Sequence, residues 1–312
     1  MKGRNETTGM DFILLGLFPD MKHSDIMISV IILIYVVAFT GNSTLILLIL
    51  VDSQLHTPMY LLLSQLSLID LLFISTTVPK MATDFFSGNK HISNTACGTQ
   101  IFFYLLLGEA ECILLTLMAC DRYLAICRPL RYPLIMNKRV CQMMVMVSWV
   151  GGPLNSIGET AYTMHLPTCG DKEIEHFFCE LTAILRFSCK DTSSYRFTVL
   201  VLGITLLLIP FVIIFTSYTI VFLTVLRMNS PQGRNKALAT CSSHLIVVSL
   251  FYGPVIFTYM TPGFSHSPDQ DKTVSVFFAI VTPMLNPFIY SLRNKDVLRA
   301  LNKVLKRGMI PK

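Results

Sequence analysis

Three acids stand in stretches that are otherwise free of charge: Asp70 within residues 59–79, and Glu109 and Glu111 within 97–120. A carboxylate in apolar surroundings is costly unless it holds a proton, a cation or a hydrogen-bond donor. Glu109 and Glu111 are two apart, so on a helix they point in different directions and serve different places. Glu109 follows Tyr104 and Leu105 by about one turn, where it either reaches a ligand cavity or makes a polar contact to a neighbouring helix. Asp121 and Arg122 are adjacent and opposite in charge; at a helix end this is an interfacial anchor or a switchable ion pair. Ser242, Ser243 and His244 form a polar step in an apolar run, where a hydrogen bond between helices three and six is expected. His176-Phe-Phe-Cys179-Glu180 has metal-ligating residue types, although a surface histidine is the expected reading and no metal or other cofactor is assigned. Walker, HExxH, GxSxG and Rossmann patterns are absent, so the chain is not expected to be an enzyme.

These residues need elements to hold them, and the composition says which. Of 312 residues, 53% are hydrophobic and only 14% charged, with a mean hydropathy of +0.59. Soluble domains carry about 25% charged residues. Windows of roughly 20 apolar residues suit membrane helices, and seven occur: 26–51, 59–79, 97–120, 140–159, 197–226, 237–260 and 273–292. In lipid every backbone polar group must be satisfied within the span, which favours helices. The expected fold is an all-α seven-helix bundle, with residues 1–25 outside and 293–312 as a cytoplasmic segment. The run 12–18 is short and glycine-broken, so no cleavable signal is expected and the first span serves as its own insertion signal.

Charge sets the orientation. With the N-terminus outside, the inner loops hold 15 of the 25 Lys and Arg against three acids, the positive-inside pattern. The net charge of +6 thus reflects topology and contact with membrane lipid, and no nucleic-acid role is expected. Four of nine cysteines, Cys97, Cys169, Cys179 and Cys189, fall on the outer, oxidising side. They allow three pairings. Asn5-Glu6-Thr7 is a glycosylation acceptor on that side. Apolar positions 297, 298, 301, 304 and 305 share one helical face flanked by Lys and Arg, as in a helix lying on a membrane surface.

Longer motifs narrow the class. Met118-Ala-Cys-Asp-Arg-Tyr-Leu-Ala-Ile-Cys127 closes the third span, and Pro283-Met-Leu-Asn-Pro-Phe-Ile-Tyr290 closes the seventh. Leu55-His-Thr-Pro-Met-Tyr60, Lys236-Ala-Leu-Ala-Thr-Cys-Ser-Ser-His244 and Phe251-Tyr-Gly253 lie between or within spans in order. With Gly41-Asn42, Asp70, Trp149 and Pro210, the chain resembles the odorant receptors among the rhodopsin-like G-protein-coupled receptors, of the tetrapod-type class II. Two departures stand out. Cys120 sits where these receptors usually carry Tyr, and Phe251-Tyr252-Gly253-Pro254 replaces the Cys-Trp-x-Pro of most rhodopsin-like receptors, a change typical of odorant receptors.

The resemblance implies disulfides Cys97–Cys179 and Cys169–Cys189, the first drawing the outer loop 163–196 over the third span as a lid. Paired in that way, Cys179 is no thiolate ligand, leaving His176 and nearby acids. It implies a switch of Asp121, Arg122, Tyr123, Tyr218, His244, Asn286 and Tyr290, and a polar core of Asn42, Asp70, Glu111 and Asn286 able to take sodium or protons. It implies a small volatile odorant and a heterotrimeric G protein of the olfactory Gs type, raising cyclic AMP, in the plasma membrane of olfactory cilia. The expected cavity is lined by Tyr104, Leu105, Gly108, Glu109 and Cys112 of the third span and by Leu202, Gly203 and Leu206 of the fifth. The sixth and seventh supply Tyr252, Val255, Ile256, Tyr259, Val276 and Ala279. A receptor of the same family sensing a metabolite outside the nose is the alternative; a small-solute transporter would need repeats or broken helix pairs, neither of which is visible.

Overall fold

The computed structural model describes residues 12–17, 23–168, 172–186, 188–189, 191–260, 267–292 and 294–308. Asn5 and Cys169 lie outside them, as does the side chain of Tyr259. Long helices carry the apolar windows: α1 (Ser24–Val51), α2 (Pro58–Ser87) and α3 (Asn94–Cys127). Next come α4 (Tyr132–Ile135), α5 (Lys138–Val150) and α6 (Pro153–His165). Then follow α7 (Leu181–Leu185), α8 (Ser193–Leu226), α9 (Pro231–Met260), α10 (Pro268–Val276), α11 (Thr282–Leu292) and α12 (Lys295–Gly308). Among the described residues, six helical stretches are long and apolar enough to cross a membrane. The fourth crossing, expected as one helix over 140–159, is instead the pair α5 and α6, parted at Gly151-Gly152 and restarted by Pro153. Proline at the first turn costs no hydrogen bond, which is why α6 begins there. The fold is an all-α seven-helix receptor bundle.

α3 is the axis of the bundle: it packs against α2, α5, α6, α8 and α9. Large apolar residues of α1 and α8 face outward, among them Leu47, Leu50, Phe215 and Phe222, as lipid-facing positions must.

The seventh crossing is not uniform. A π-helical turn, Phe277–Val281, joins α10 to α11, and the Thr282 hydroxyl donates to Phe277 O at 3.1 Å across the widened turn. Below it, Pro287 has no N–H, so the Pro283 carbonyl loses its helical donor. Asn42 of α1 replaces that donor, its Nδ2 lying 2.9 Å from Pro283 O and 3.0 Å from Ala38 O. A buried amide on the first span thus satisfies a proline-orphaned carbonyl on the seventh.

A small sheet caps one end of the bundle, a feature beyond the helical pattern. β1 (Phe12–Leu14) pairs antiparallel with β2 (His91–Ile92) and parallel with β3 (Glu173–Ile174). The run that is too short for a signal sequence therefore ties the N-terminal segment to the outer loop.

Candidate ligand cavity and cytoplasmic switch

A cavity of about 130 Å³ lies beside α3 in the half of the bundle nearer the small sheet. From α3 it takes Tyr104, Leu105, Gly108, Glu109, Cys112 and Ile113. Gly203, Leu206 and Leu207 come from α8, Phe251 and Val255 from α9, and Phe278 from the π turn. A Cβ placed on Gly108 or Gly203 would meet nothing within 4 Å, so these two positions open the space.

Eight expected residues line it: Tyr104, Leu105, Gly108, Glu109, Cys112, Gly203, Leu206 and Val255. Five do not, and each has a physical reason. Leu202 and Ile256 turn to the outer surface, at 39% exposure each. Tyr252 lies behind the wall, its hydroxyl 3.2 Å from the Cys112 sulfur and its ring 5.5 Å from Phe211. Val276 and Ala279 flank or occupy the π turn, which resets the register and packs both into the core instead.

The sequence reading also placed no wall on the fourth crossing. Gly151, Gly152, Asn155 and Glu159 form one there, at the break between α5 and α6. Glu109 faces both ways. It lines the cavity and accepts hydrogen bonds from Asn155 Nδ2 at 2.5 Å and Ser156 Oγ at 3.1 Å. The approach is close enough that a Cβ on Gly152 would sit 2.5 Å from Glu109 Oε2. Glycine is required here by contact rather than by backbone angle. A proline-started helix following two glycines in an apolar window is the signal that could have shown this break.

The lid closes the outer end. Cys97 and Cys179 are joined by a disulfide, and Cys189 is also disulfide-bonded. Gln100 of α3 receives the Cys179 N–H at 2.9 Å and donates to Thr76 O at 2.7 Å, fixing the loop to two helices. Phe178 then sits 4.8 Å from the Tyr104 ring, directly over the cavity wall. The expectation of a surface histidine is corrected: His176 is 2% exposed, stacked on Phe177 at 4.7 Å, with Nε2 3.3 Å from Glu180 Oε2. Burial, helped by the Lys272 and Arg186 cations, pushes the imidazole down to about 3. Burial, helped by Asp271, pushes the Glu180 carboxyl up to about 8. Arg186 also pairs with Asp271, bridging the lid to α10. Groups of three or more metal-ligating side chains do not occur among the described residues.

The polar core lies deeper. Asn286 donates to both oxygens of Asp70, at 3.0 and 3.1 Å, with Glu111 beside them at 4% exposure. At the opposite end of α3 Arg122 donates from Nε to Asp121 at 3.0 Å and pairs with it through Nη2 as well. Tyr132 of α4 donates to the other Asp121 oxygen at 2.7 Å. Tyr218 of α8 and His244 of α9 meet at 2.6 Å. The link expected between helices three and six is present, His244 interacting with the Leu115 backbone, and the Tyr218 hydroxyl adds a second link to helix five. The Tyr290 hydroxyl is buried nearby, and Tyr123 is half-buried at the end of α3.

A cavity under a disulfide-anchored loop and an Asp121–Arg122 ion pair at the opposite end of one long helix are the two polar-apolar features of this seven-helix bundle. Comparison with known proteins gives the family. The olfactory receptor family profile matches residues 31–308. Olfactory receptor 2M2 of Homo sapiens is 51% identical over 308 residues, covering 99% of this chain and 89% of that protein. Olfactory receptor 2T2 of Homo sapiens is 54% identical over 297 residues, covering 95% and 92%, and olfactory receptor 2T27 of Homo sapiens is 50% identical over 307 residues, covering 98% and 97%. The chain belongs to the olfactory receptor family: it is a multi-pass membrane receptor of the G-protein-coupled type and not an enzyme.

Proposed function

We propose that this receptor detects a small, mostly apolar volatile compound in the cavity beside α3 and activates an olfactory Gs-type protein. The observation that carries the reading is the cavity itself, which is close in size to the ~150 Å³ apolar cavities that accept a benzene-sized ring. Apolar walls with a few polar groups are what small-molecule sites offer.

The ligand presses on Tyr104, Phe251 and Phe278, three aromatic residues from three crossings. It gains effect only by binding better to one arrangement of the bundle than to another. In the resting arrangement Asp121 holds Arg122, and Tyr218 holds His244. Separating α8 and α9 from α3 frees Arg122 and opens a groove for the C-terminal helix of the Gα subunit. The buried Asp70–Glu111–Asn286 cluster takes sodium or protons in the resting state. The N-terminus lies outside the cell and the receptor works in olfactory cilia. The test is a ligand-panel cyclic AMP screen in cells expressing the chain, with surface display checked by antibody. A concentration-dependent rise that vanishes without the receptor supports the reading. Activation through another second messenger overturns the Gs assignment.

A further inference from the structure

The cavity is chemically lopsided. Its α8, α9 and π-turn walls are apolar, whereas the side formed by α3 and α6 presents two carboxylates, Glu109 and Glu159. One amide stands between them: Asn155 Nδ2 donates to Glu109 Oε1 at 2.5 Å and to Glu159 Oε1 at 3.3 Å. Ser156 occupies Glu109 Oε2 at 3.1 Å. A carboxylate has about four acceptor positions, so each acid keeps capacity for a further donor from the cavity. Among the described residues, Lys, Arg and His are absent from the lining. Two acids therefore share a half-open, largely apolar space that supplies them no cation, and buried charges in such settings are paired.

Resting on the reading of this cavity as the ligand site, we infer that the preferred ligand is a small primary amine, bound as its ammonium ion. The ammonium donates to Glu109 and Glu159, and an apolar body about the size of one ring lies against Leu206, Phe251, Val255 and Phe278. An alcohol supplies one donor and no charge, an acid adds a third negative group, and a hydrocarbon leaves both carboxylates unanswered. The acids thus rank the ligands, with amine above alcohol above hydrocarbon and carboxylic acid.

Thermal unfolding of the purified full-length receptor in nanodiscs tests this without relying on any coupling pathway. The probes share one skeleton: 2-phenylethylamine, 2-phenylethanol, ethylbenzene and phenylacetic acid, with hexylamine and hexanol as a second pair. The amines are expected to raise Tm, at concentrations about tenfold or more below their alcohols. Glu109→Gln and Glu159→Gln are each expected to weaken the amine effect about tenfold while leaving the alcohol effect within about threefold. Two variants are used because Glu109 also holds α6, and Glu159→Gln leaves that contact in place. An alcohol as effective as its amine, an amine effect untouched by both substitutions, or no amine effect at all overturns the inference. Alcohol or hydrocarbon binding abolished by Gly108→Leu, with amines inert, overturns the ligand class and leaves the cavity reading standing. Amine binding indifferent to Gly108→Leu overturns the cavity reading instead.

Discussion

Gly108 and Gly152 are both glycines beside the cavity, and they act in opposite ways. Gly108 faces open space, so a side chain there fills the site without disturbing a neighbour. Gly108→Leu is expected to raise the agonist concentration for half-response by about tenfold or more while the receptor still reaches the surface. Leu48→Met, a volume-conserving change on α1 away from the cavity, should leave the response unchanged. Dose–response curves paired with surface antibody staining decide this; an unaltered Gly108→Leu curve places the ligand elsewhere. Gly152 instead touches Glu109, and Gly152→Ala pushes a methyl into that carboxylate and its Cβ. Overpacking of this kind costs about 1–3 kcal/mol, so a lower Tm and reduced surface display are expected with any ligand or none. The first glycine was legible in the sequence because Tyr104, Gly108 and Cys112 share a helical face. The second was not, because periodicity does not say which face of a short, broken helix turns inward.

The lid shows what a loop adds to a helical bundle. Its tie to α3 was implied by the family resemblance, yet its interior was not, since nothing local makes His176-Phe-Phe bury itself. That burial follows from long-range partners: β1 from the N-terminal segment, Gln100 from α3, and Arg186 paired to α10. A pH window results. Glu180 keeps its proton to about 8 in the lid, whereas an unfolded glutamate loses it near 4.5. Its contribution is full below that lower value and is lost as pH rises through about 8. His176 stays neutral down to about 3, whereas an unfolded histidine charges near 6.5. Its contribution is full above 6.5 and is lost as pH falls toward 3. Lid closure should therefore be firmest between about 4.5 and 6.5. Hydrogen exchange of residues 173–180 in nanodiscs, corrected for intrinsic rates, is expected to show greatest protection in that window. Glu180→Gln should flatten the alkaline decline and His176→Phe the acidic one. A profile identical in all three receptors would remove these two groups from the closure.

Across the whole molecule, the spans were legible because lipid imposes them: a long charge-free window must satisfy its own backbone, and a helix does so. The breaks inside the spans were less legible. The Gly151-Gly152 parting and the π turn at Phe277–Val281 depend on how neighbouring helices pack, and both contribute residues to the cavity lining. One helix connects both ends of what remains. α3 carries Gly108 and Glu109 at the cavity, Glu111 in the polar core, and Asp121 and Arg122 at the inner face. On the proposed function, ligand and G protein are coupled through this one element, and coupling of binding free energies is reciprocal. Arg122 is the point where this can be cut without touching the cavity. It is held at rest by an Asp121 that Tyr132 also holds, so Arg122→Ala leaves Asp121 one tyrosine partner and the cavity residues unaltered. Ligand-driven cyclic AMP is expected to disappear. Surface display should persist, and agonist should still stabilise the purified receptor as it does the unmodified chain. Addition of G protein, which should sharpen agonist affinity in the unmodified receptor, should do nothing in the variant. An Arg122→Ala receptor that is displayed, binds and signals normally would show that the inner end of α3 is an anchor in the lipid headgroups rather than the contact through which the bundle speaks to its G protein.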